Sequence, residues 1–347
     1  MKKTLAALIV TAFAASAANA AVVYDNEGTK VELNGSLRVI MEKADKKEYD
    51  AANHSTKKSN SALRNAGSRF GITVKHNLDN DFYALGRVEF RFDDTTSRDK
   101  FGGVYAKRAY VGLGSKAIGE LKFGRQLTIA DDLTQANDYD YGFIPKEEYI
   151  PTAGTGVVRY DYKGIEGLQL SANYNFGQTN DEKGNPLNPG IKNAYAVGAL
   201  YTAGDLDARF AYGHTNYETG ASYKHRLDGF LASLGYKFGD FTLTGDFAYG
   251  HEKLDDEKLN KFYVAPGFAY QVLPASKVYG NYLYERVKGE NTKDKTHGFL
   301  LGADYKLHKQ VVLFVEGKYV TTKEYVNDTY DGKTKDRAIG VGMRVFF

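Results

Sequence analysis

The chain has 347 residues, a formal charge of +3, no Cys, no Trp, six Pro, 27 Tyr and 20 Phe. The missing cysteine excludes disulfides and thiolate metal sites. A charge this close to zero argues neither for nor against a polyanionic partner, and the aromatic load is what a membrane–water boundary collects.

The first residues, Met1-Lys2-Lys3, precede an apolar run over 4–17 and then Ala18-Asn19-Ala20. A basic start, an apolar middle and an Ala-x-Ala site read as an export signal spanning 1–20. Its removal leaves 21–347 as one expected barrel domain, with the formal charge lowered to +1 by the loss of Lys2 and Lys3. After Ala20 no stretch approaches the roughly 20 apolar residues that a membrane-crossing helix needs. The mean hydropathy of −0.47 does not exclude a membrane barrel, because only alternate residues of its strands face lipid.

From there the apolar period is two throughout. It predicts sixteen strands, at 31–43, 68–78, 82–93, 104–114, 119–127, 155–163, 167–177, 193–203, 205–217, 226–238, 240–253, 261–273, 276–288, 296–307, 310–323 and 336–347. Short connectors such as 78–81, 164–166, 203–204, 239–240 and 308–309 alternate with long polar ones at 44–67, 128–154, 178–192 and 324–335. Short turns on one side and long loops on the other describe an outer-membrane barrel, and an even count returns both termini to the periplasm.

The alternation is chemically sorted. Phe70, Ile72 and Val74 oppose Arg69, Gly71, Thr73 and Lys75, and Val88, Phe90 and Phe92 oppose Arg87, Glu89 and Arg91. On the last strand Ile339, Val341, Met343, Val345 and Phe347 oppose Gly340, Gly342 and Arg344. A cation at the lipid midplane costs about 2–4 kcal/mol, so the charged faces point inward, to a wet lumen. Backbone pairing in hydrocarbon then demands closure, and sixteen strands are wide enough for an aqueous channel. Gly112, Gly235, Gly245, Gly250, Gly267 and Gly302 are read as bends and packing room in a curved wall. The chain ends on Phe347, like the terminal strands that the barrel assembly machinery of Gram-negative outer membranes reads.

At several points the residues resemble the trimeric general porins of Gram-negative bacteria. These are Val23 to Gly35 at the start, Ser68-Arg69-Phe70-Gly71, Ala109-Tyr110-Val111-Gly112-Leu113, Lys122-Phe123-Gly124-Arg125-Gln126 and Val157-Val158-Arg159-Tyr160. Lys306 to Val311 and Gly340 to Phe347 look closest to the major porins of the Pasteurellaceae. The resemblance implies a 16-stranded antiparallel transmembrane β-barrel in a homotrimer, with the third loop folded into the pore. It implies passive diffusion of ions and small hydrophilic solutes, and contact with outer-membrane lipid, lipopolysaccharide and the assembly machinery.

Carried over by position, the inward loop is 128–154. Its acidic constriction residues would be Asp138 and Asp140, with Asp131 and Asp132 earlier in the loop and Glu147 and Glu148 later. The basic wall opposite would be Arg69, Lys107, Arg38, Lys75 and Arg108. Arg125 is read as a wall or subunit-contact residue, and Phe347 as the assembly signal. The chain departs from the enterobacterial pattern in having Phe143-Ile144-Pro145-Lys146-Glu147-Glu148 in the loop and no arginine at the start of strand six.

Enzymatic readings find little purchase. His251-Glu252-Lys253-Leu254-Asp255 has Asp where a zinc-protease helix needs its second His. Gly112-Leu113-Gly114 with Gly119 does not fit the dinucleotide fingerprint. No metal, cofactor or nucleic-acid partner is expected. An outer-membrane barrel enzyme would show a Ser-His or Asp-His constellation at the rim. A plugged surface barrel would use its loops, of which 44–67 carries Lys46, Lys47, Lys57 and Lys58.

Overall fold

A computed structural model describes residues 20–92, 103–219 and 224–347. The expected export signal lies outside the described residues apart from Ala20.

Sixteen antiparallel strands close into one barrel. They are β1 (Thr29–Tyr49), β2 (Ser55–Asn65 and Arg69–Asn77, interrupted between), β3 (Phe82–Phe92), β4 (Val104–Ser115), β5 (Gly119–Leu127) and β6 (Ala153–Ile165). Then come β7 (Leu168–Asn175, resumed at Gln178–Asn180), β8 (Pro186–Ala203), β9 (Leu206–Tyr217), β10 (His225–Phe238) and β11 (Phe241–Leu254). The last five are β12 (Glu257–Leu273), β13 (Ser276–Lys288), β14 (Thr292–His308), β15 (Val311–Val326) and β16 (Thr329–Phe346). Each pairs with its chain neighbours, and β16 returns to β1 in a ladder from Lys333↔Tyr49 to Phe346↔Ser36.

The side chains sort as the alternation predicts. Leu37, Met41, Ile72, Val88, Val111, Leu301, Ile339 and Val341 are exposed on the outer surface, whereas Glu89, Asp161, Asp246, Asp304 and Glu316 are buried inside. A water-soluble barrel would invert this arrangement.

At the seam, Phe347 N donates to the Gly35 carbonyl at 3.1 Å and Gly35 N to the Phe347 carbonyl at 2.8 Å. Beyond Phe347 the short strand Ala21–Asn26 takes over the same edge of β1, from Ala21↔Leu33 to Asn26↔Thr29. Strand Ala21–Asn26 and Phe347 thus lie end to end along β1 and leave no open edge there. The hairpin that allows this turns on Glu27 (φ 50°) and Gly28 (φ 75°).

All sixteen expected strands are present, but two of the long loops are not loops. Across 44–67, β1 and β2 continue as a paired hairpin, Lys46↔Lys58 and Lys47↔Lys57, around a turn at 50–54. Both faces of this hairpin are polar, so the period of two vanishes from the sequence while the ladder continues. Across 324–335, β15 and β16 meet in a two-residue turn in which Asn327 (φ 49°) and Asp328 (φ 60°) are both left-handed. Asn and Asp tolerate that conformation, which matches the twist of a hairpin. The connector 178–192 shrinks to a turn at 181–185. Only 128–154 keeps its length, as residues 128–152.

A larger residue at Gly35 should strain the seam, because a Cβ there would lie 2.6 Å from the Phe347 ring and 2.8 Å from the Arg69 carbonyl. Gly35→Leu is expected to cost about 1–3 kcal/mol. The temperature at which folded barrel converts to unfolded chain on a gel should fall. An unchanged midpoint would show that the seam tolerates the bulk.

Candidate functional site

Loop 128–152 leaves β5 and enters β6, and its two ends are pinned together. Thr128 Oγ1 donates to the Pro151 carbonyl at 2.6 Å, and Thr128 N to the Thr152 carbonyl at 2.9 Å. The loop then packs on the inward face of the wall. Ile129, Ala130, Leu133, Tyr149 and Ile150 bury against Ala196, Ala211, Leu231, Ala248, Tyr263, Ala265 and Leu283. Alanines and glycines among the wall residues let the loop approach closely. A Cβ on Gly213 would meet Ile150 at 2.6 Å, and one on Gly235 would meet Gln135 at 2.1 Å. Gly250 lies under Tyr149 in the same way, while Gly302 makes room for the Tyr279 ring and Gly245 meets nothing.

Inward carboxylates on the wall hold the loop backbone. Glu316 on β15, fully buried, accepts from three consecutive amides: Tyr139 N (2.6 Å), Asp140 N (2.9 Å) and Tyr141 N (2.6 Å). The Tyr279 hydroxyl donates to it as well, at 2.8 Å. Asp246 on β11 accepts Gln135 N (3.0 Å) and Ala136 N (3.2 Å). Tyr139, Tyr141 and Tyr149 donate their hydroxyls to Asp304, Glu42 and Glu285. None of these anchors was identified from sequence. The available signal was an acid at an inward mid-strand position, as in Val315-Glu316-Gly317, where burial demands a donor.

The four acidic candidates divide. Asp132 is buried and ion-paired with Arg159 at 2.6 Å, while its backbone carbonyl accepts from Arg209. It fastens the loop to β6 and β9. Asp131 pairs with Lys146 inside the loop at 3.3 Å. Asp140 pairs with Arg64, which also holds Glu42 at 2.8 Å. Asp138 is exposed to the lumen and takes no hydrogen bond or ion pair among the described residues; its charged neighbours are Glu316, Arg344, Lys146 and Asp140. Protein crowds the carboxylate on its other sides. That crowding, and then the Glu316 charge, push its pKa up to about 6.

The basic candidates divide too. Arg38, Arg69, Arg91 and Arg344 form one mutually repelling cluster around Glu89. Arg91 and Arg87 bond that carboxylate at 2.9 and 2.8 Å, and Arg69 stands 4.0 Å from it. The cluster gathers at the bulge that interrupts β2. Residues 66–68 there oppose two residues of β1, and Arg38 N bonds Ser68 Oγ at 2.8 Å. Bulges re-aim side chains in this way. Lys107 and Arg108 both bond Glu182, a residue absent from the sequence reading. Lys75 stands apart, near the short turn at the other end of β2, with its ammonium 3.7 Å from the centre of the Tyr83 ring.

Truncating Glu316 should release the loop, since it leaves three amides without their acceptor at about 1–3 kcal/mol each. Glu316→Ala is expected to expose the loop to trypsin after Lys146 in detergent-solubilised barrel. Protection equal to that of the parent would contradict the anchoring role.

Comparison with known proteins places this architecture. The profile of the Gram-negative porin family matches residues 4–325. The Major outer membrane protein of Pasteurella multocida strain Pm70 is 32% identical, over 100% of both chains. The fold is similar to that of OmpT of Vibrio cholerae in its trimer form, with a TM-score of 0.68 and 18% identity over 92% of this chain and 100% of that one. It is also similar to an anion-selective porin from Comamonas acidovorans, with a TM-score of 0.66 and 16% identity over 92% and 100%. With an apolar exterior, a charged interior and a profile match spanning nearly its whole length, the chain belongs to the Gram-negative porins and forms a β-barrel channel of the outer membrane.

Proposed function

We propose that the channel passes ions and small hydrophilic solutes by passive diffusion, and that loop 128–152 forms its narrowest section. The observation that carries this reading is the free Asp138 carboxylate on a loop packed against the inner wall, in a lumen whose β1–β3 side gathers Arg38, Arg69 and Arg91. Unlike charges across a narrow aqueous neck with low-dielectric walls set up a transverse field. Charged linings of this kind are a general device of pore selectivity. Asp140 contributes less, because Arg64, which it shares with Glu42, offsets part of its charge. Asp131 and Asp132 serve the loop's shape, and Lys75 serves the far mouth.

The reading extends to assembly. The trimer form of OmpT and the broad apolar exterior support a homotrimer embedded in outer-membrane lipid. Lys46, Lys47, Lys57 and Lys58 on the β1–β2 hairpin suit lipopolysaccharide phosphates. Residues 1–20 act as the export signal, and Phe347 as the mark read by the assembly machinery. Catalysis has no part in the proposal. The His214–Asp228 pair (2.8 Å) is completed by the amide oxygen of Asn216 (3.2 Å), which is not a nucleophile, and the family match supports a channel.

The test is the reversal potential of Asp138→Asn in a KCl gradient. Removing one charge from the neck should raise the chloride-to-potassium permeability ratio about two- to fivefold, on the order of 0.5–1 kcal/mol. An unchanged reversal potential would remove Asp138 from the neck. The parent's reversal potential should also move toward anions as pH falls through about 6, where Asp138 takes up a proton. That step should be absent from D138N. A pH response that survives the substitution belongs to another group.

A further inference from the structure

We infer that Glu182 is a tethered counter-ion occupying an oxyanion site on the channel wall, and that a small dianion of the phosphate class displaces it. The inference rests on the reading of this chain as an open channel.

The site is made by a bulge. On β3 and β4, Glu89 pairs with Arg108 and Phe90 with Ala106, which leaves Lys107 as the extra residue. Consecutive residues of a regular strand point to opposite faces. The bulge instead brings Lys107 and Arg108 to one carboxylate: Lys107 Nζ bonds Glu182 Oε2, and Arg108 Nη1 bonds Oε1 at 2.8 Å. Arg125 on β5 donates to the Glu182 backbone carbonyl at 2.9 Å. The other charged groups facing Lys107 and Arg108 are Arg91, Arg87, Glu89 and Asp131. Glu182, Glu89 and Asp131 thus face Lys107, Arg108, Arg87, Arg91 and Arg125, which leaves the cations in surplus.

The segment that delivers Glu182 closes on itself. Asp181 Oδ1 accepts Lys183 N and Asn185 N, each at 2.8 Å, and Asp181 Oδ2 accepts Asn185 Nδ2 at 2.8 Å. Asp181 N donates to the Asn185 carbonyl at 2.8 Å. The turn does not need the Glu182 side chain to hold its shape, so the carboxylate can leave without unfolding it. Beside it lies a cavity of about 510 Å³, lined in part by Arg125, Thr155, Gln178 and Asp181. A phosphate dianion carries more charge and more acceptor oxygens than a carboxylate. It can bond Lys107 and Arg108 together and leave acceptors over for neighbouring donors.

The experiment is block of chloride current by inorganic phosphate at pH 7.5, in planar bilayers holding purified protein. Glu182→Gln should lower the half-blocking concentration about tenfold, the effect of removing one competing charge-assisted partner. It should also move the reversal potential toward anions. Glu182→Asp, which keeps the charge and shortens the reach, should fall between. Adding Lys107→Gln and Arg108→Gln to E182Q should abolish the gain. A conducting E182Q with the parent's phosphate sensitivity would overturn the inference alone and leave Glu182 as a loop fastener. A silent parent barrel would overturn the channel reading and the inference together.

Discussion

Everything in this molecule depends on the pairing of backbone amides where no water can reach them. In hydrocarbon an unpaired peptide group costs several kcal/mol, so a sheet survives only when its first strand finds its last. The ladder between β16 and β1 meets that demand, and the short strand Ala21–Asn26 continues it where Phe347 stops. Closure fixes the two faces of every strand. Once Ile339, Val341 and Met343 face lipid, Gly340, Gly342 and Arg344 have nowhere to go but the lumen. The terminal phenylalanine has a local task as well, since its ring lies over Gly35 at the join.

A closed wall supplies the platform on which the interior is built, and there the acidic residues do two kinds of work. Glu316, Asp246 and Asp132 are spent on hydrogen bonds and ion pairs that hold loop 128–152 against the wall. Asp138 takes no hydrogen bond or ion pair among the described residues. The difference matters because a paired carboxylate is largely cancelled at a distance, while an unpaired one projects its charge into the water around it. The arginines show the same division. Glu89 is shared among several of them and leaves net positive charge on the β1–β3 side. In the proposed neck the field thus comes from the residues left over after the fold has taken what it needs.

The wall was legible in the sequence because lipid imposes a strict alternation. Runs such as Phe70, Ile72 and Val74 against Arg69, Gly71 and Thr73 favour a lipid-facing wall over a soluble sandwich, because the polar face is charged. Legibility ended where lipid ended. Above the membrane Lys46↔Lys58 and Lys47↔Lys57 pair in a ladder with polar side chains on both faces, so the hairpin resembled a loop. Bulges were invisible for a related reason. They shift the period by one residue, and nothing in Ala66-Gly67-Ser68 or Lys107-Arg108 announces which residue is extra. Among the site candidates, position in the loop did not separate Asp138 from Asp132. That distinction depends on Arg159, which approaches from β6 and is distant in sequence. Glu182 was hidden because its partners come from β4 and β5, and only the closed barrel brings the turn at 181–185 to them.

The proposed function requires that the barrel enclose an open aqueous path narrowed by its own loop. Single-channel recording of purified, unheated protein in a planar bilayer tests it most directly. Stepwise openings of uniform size, closing in three levels at high voltage, are the predicted result for three parallel pores. A correctly folded barrel that inserts and stays silent would mean the lumen is plugged, and would contradict the account.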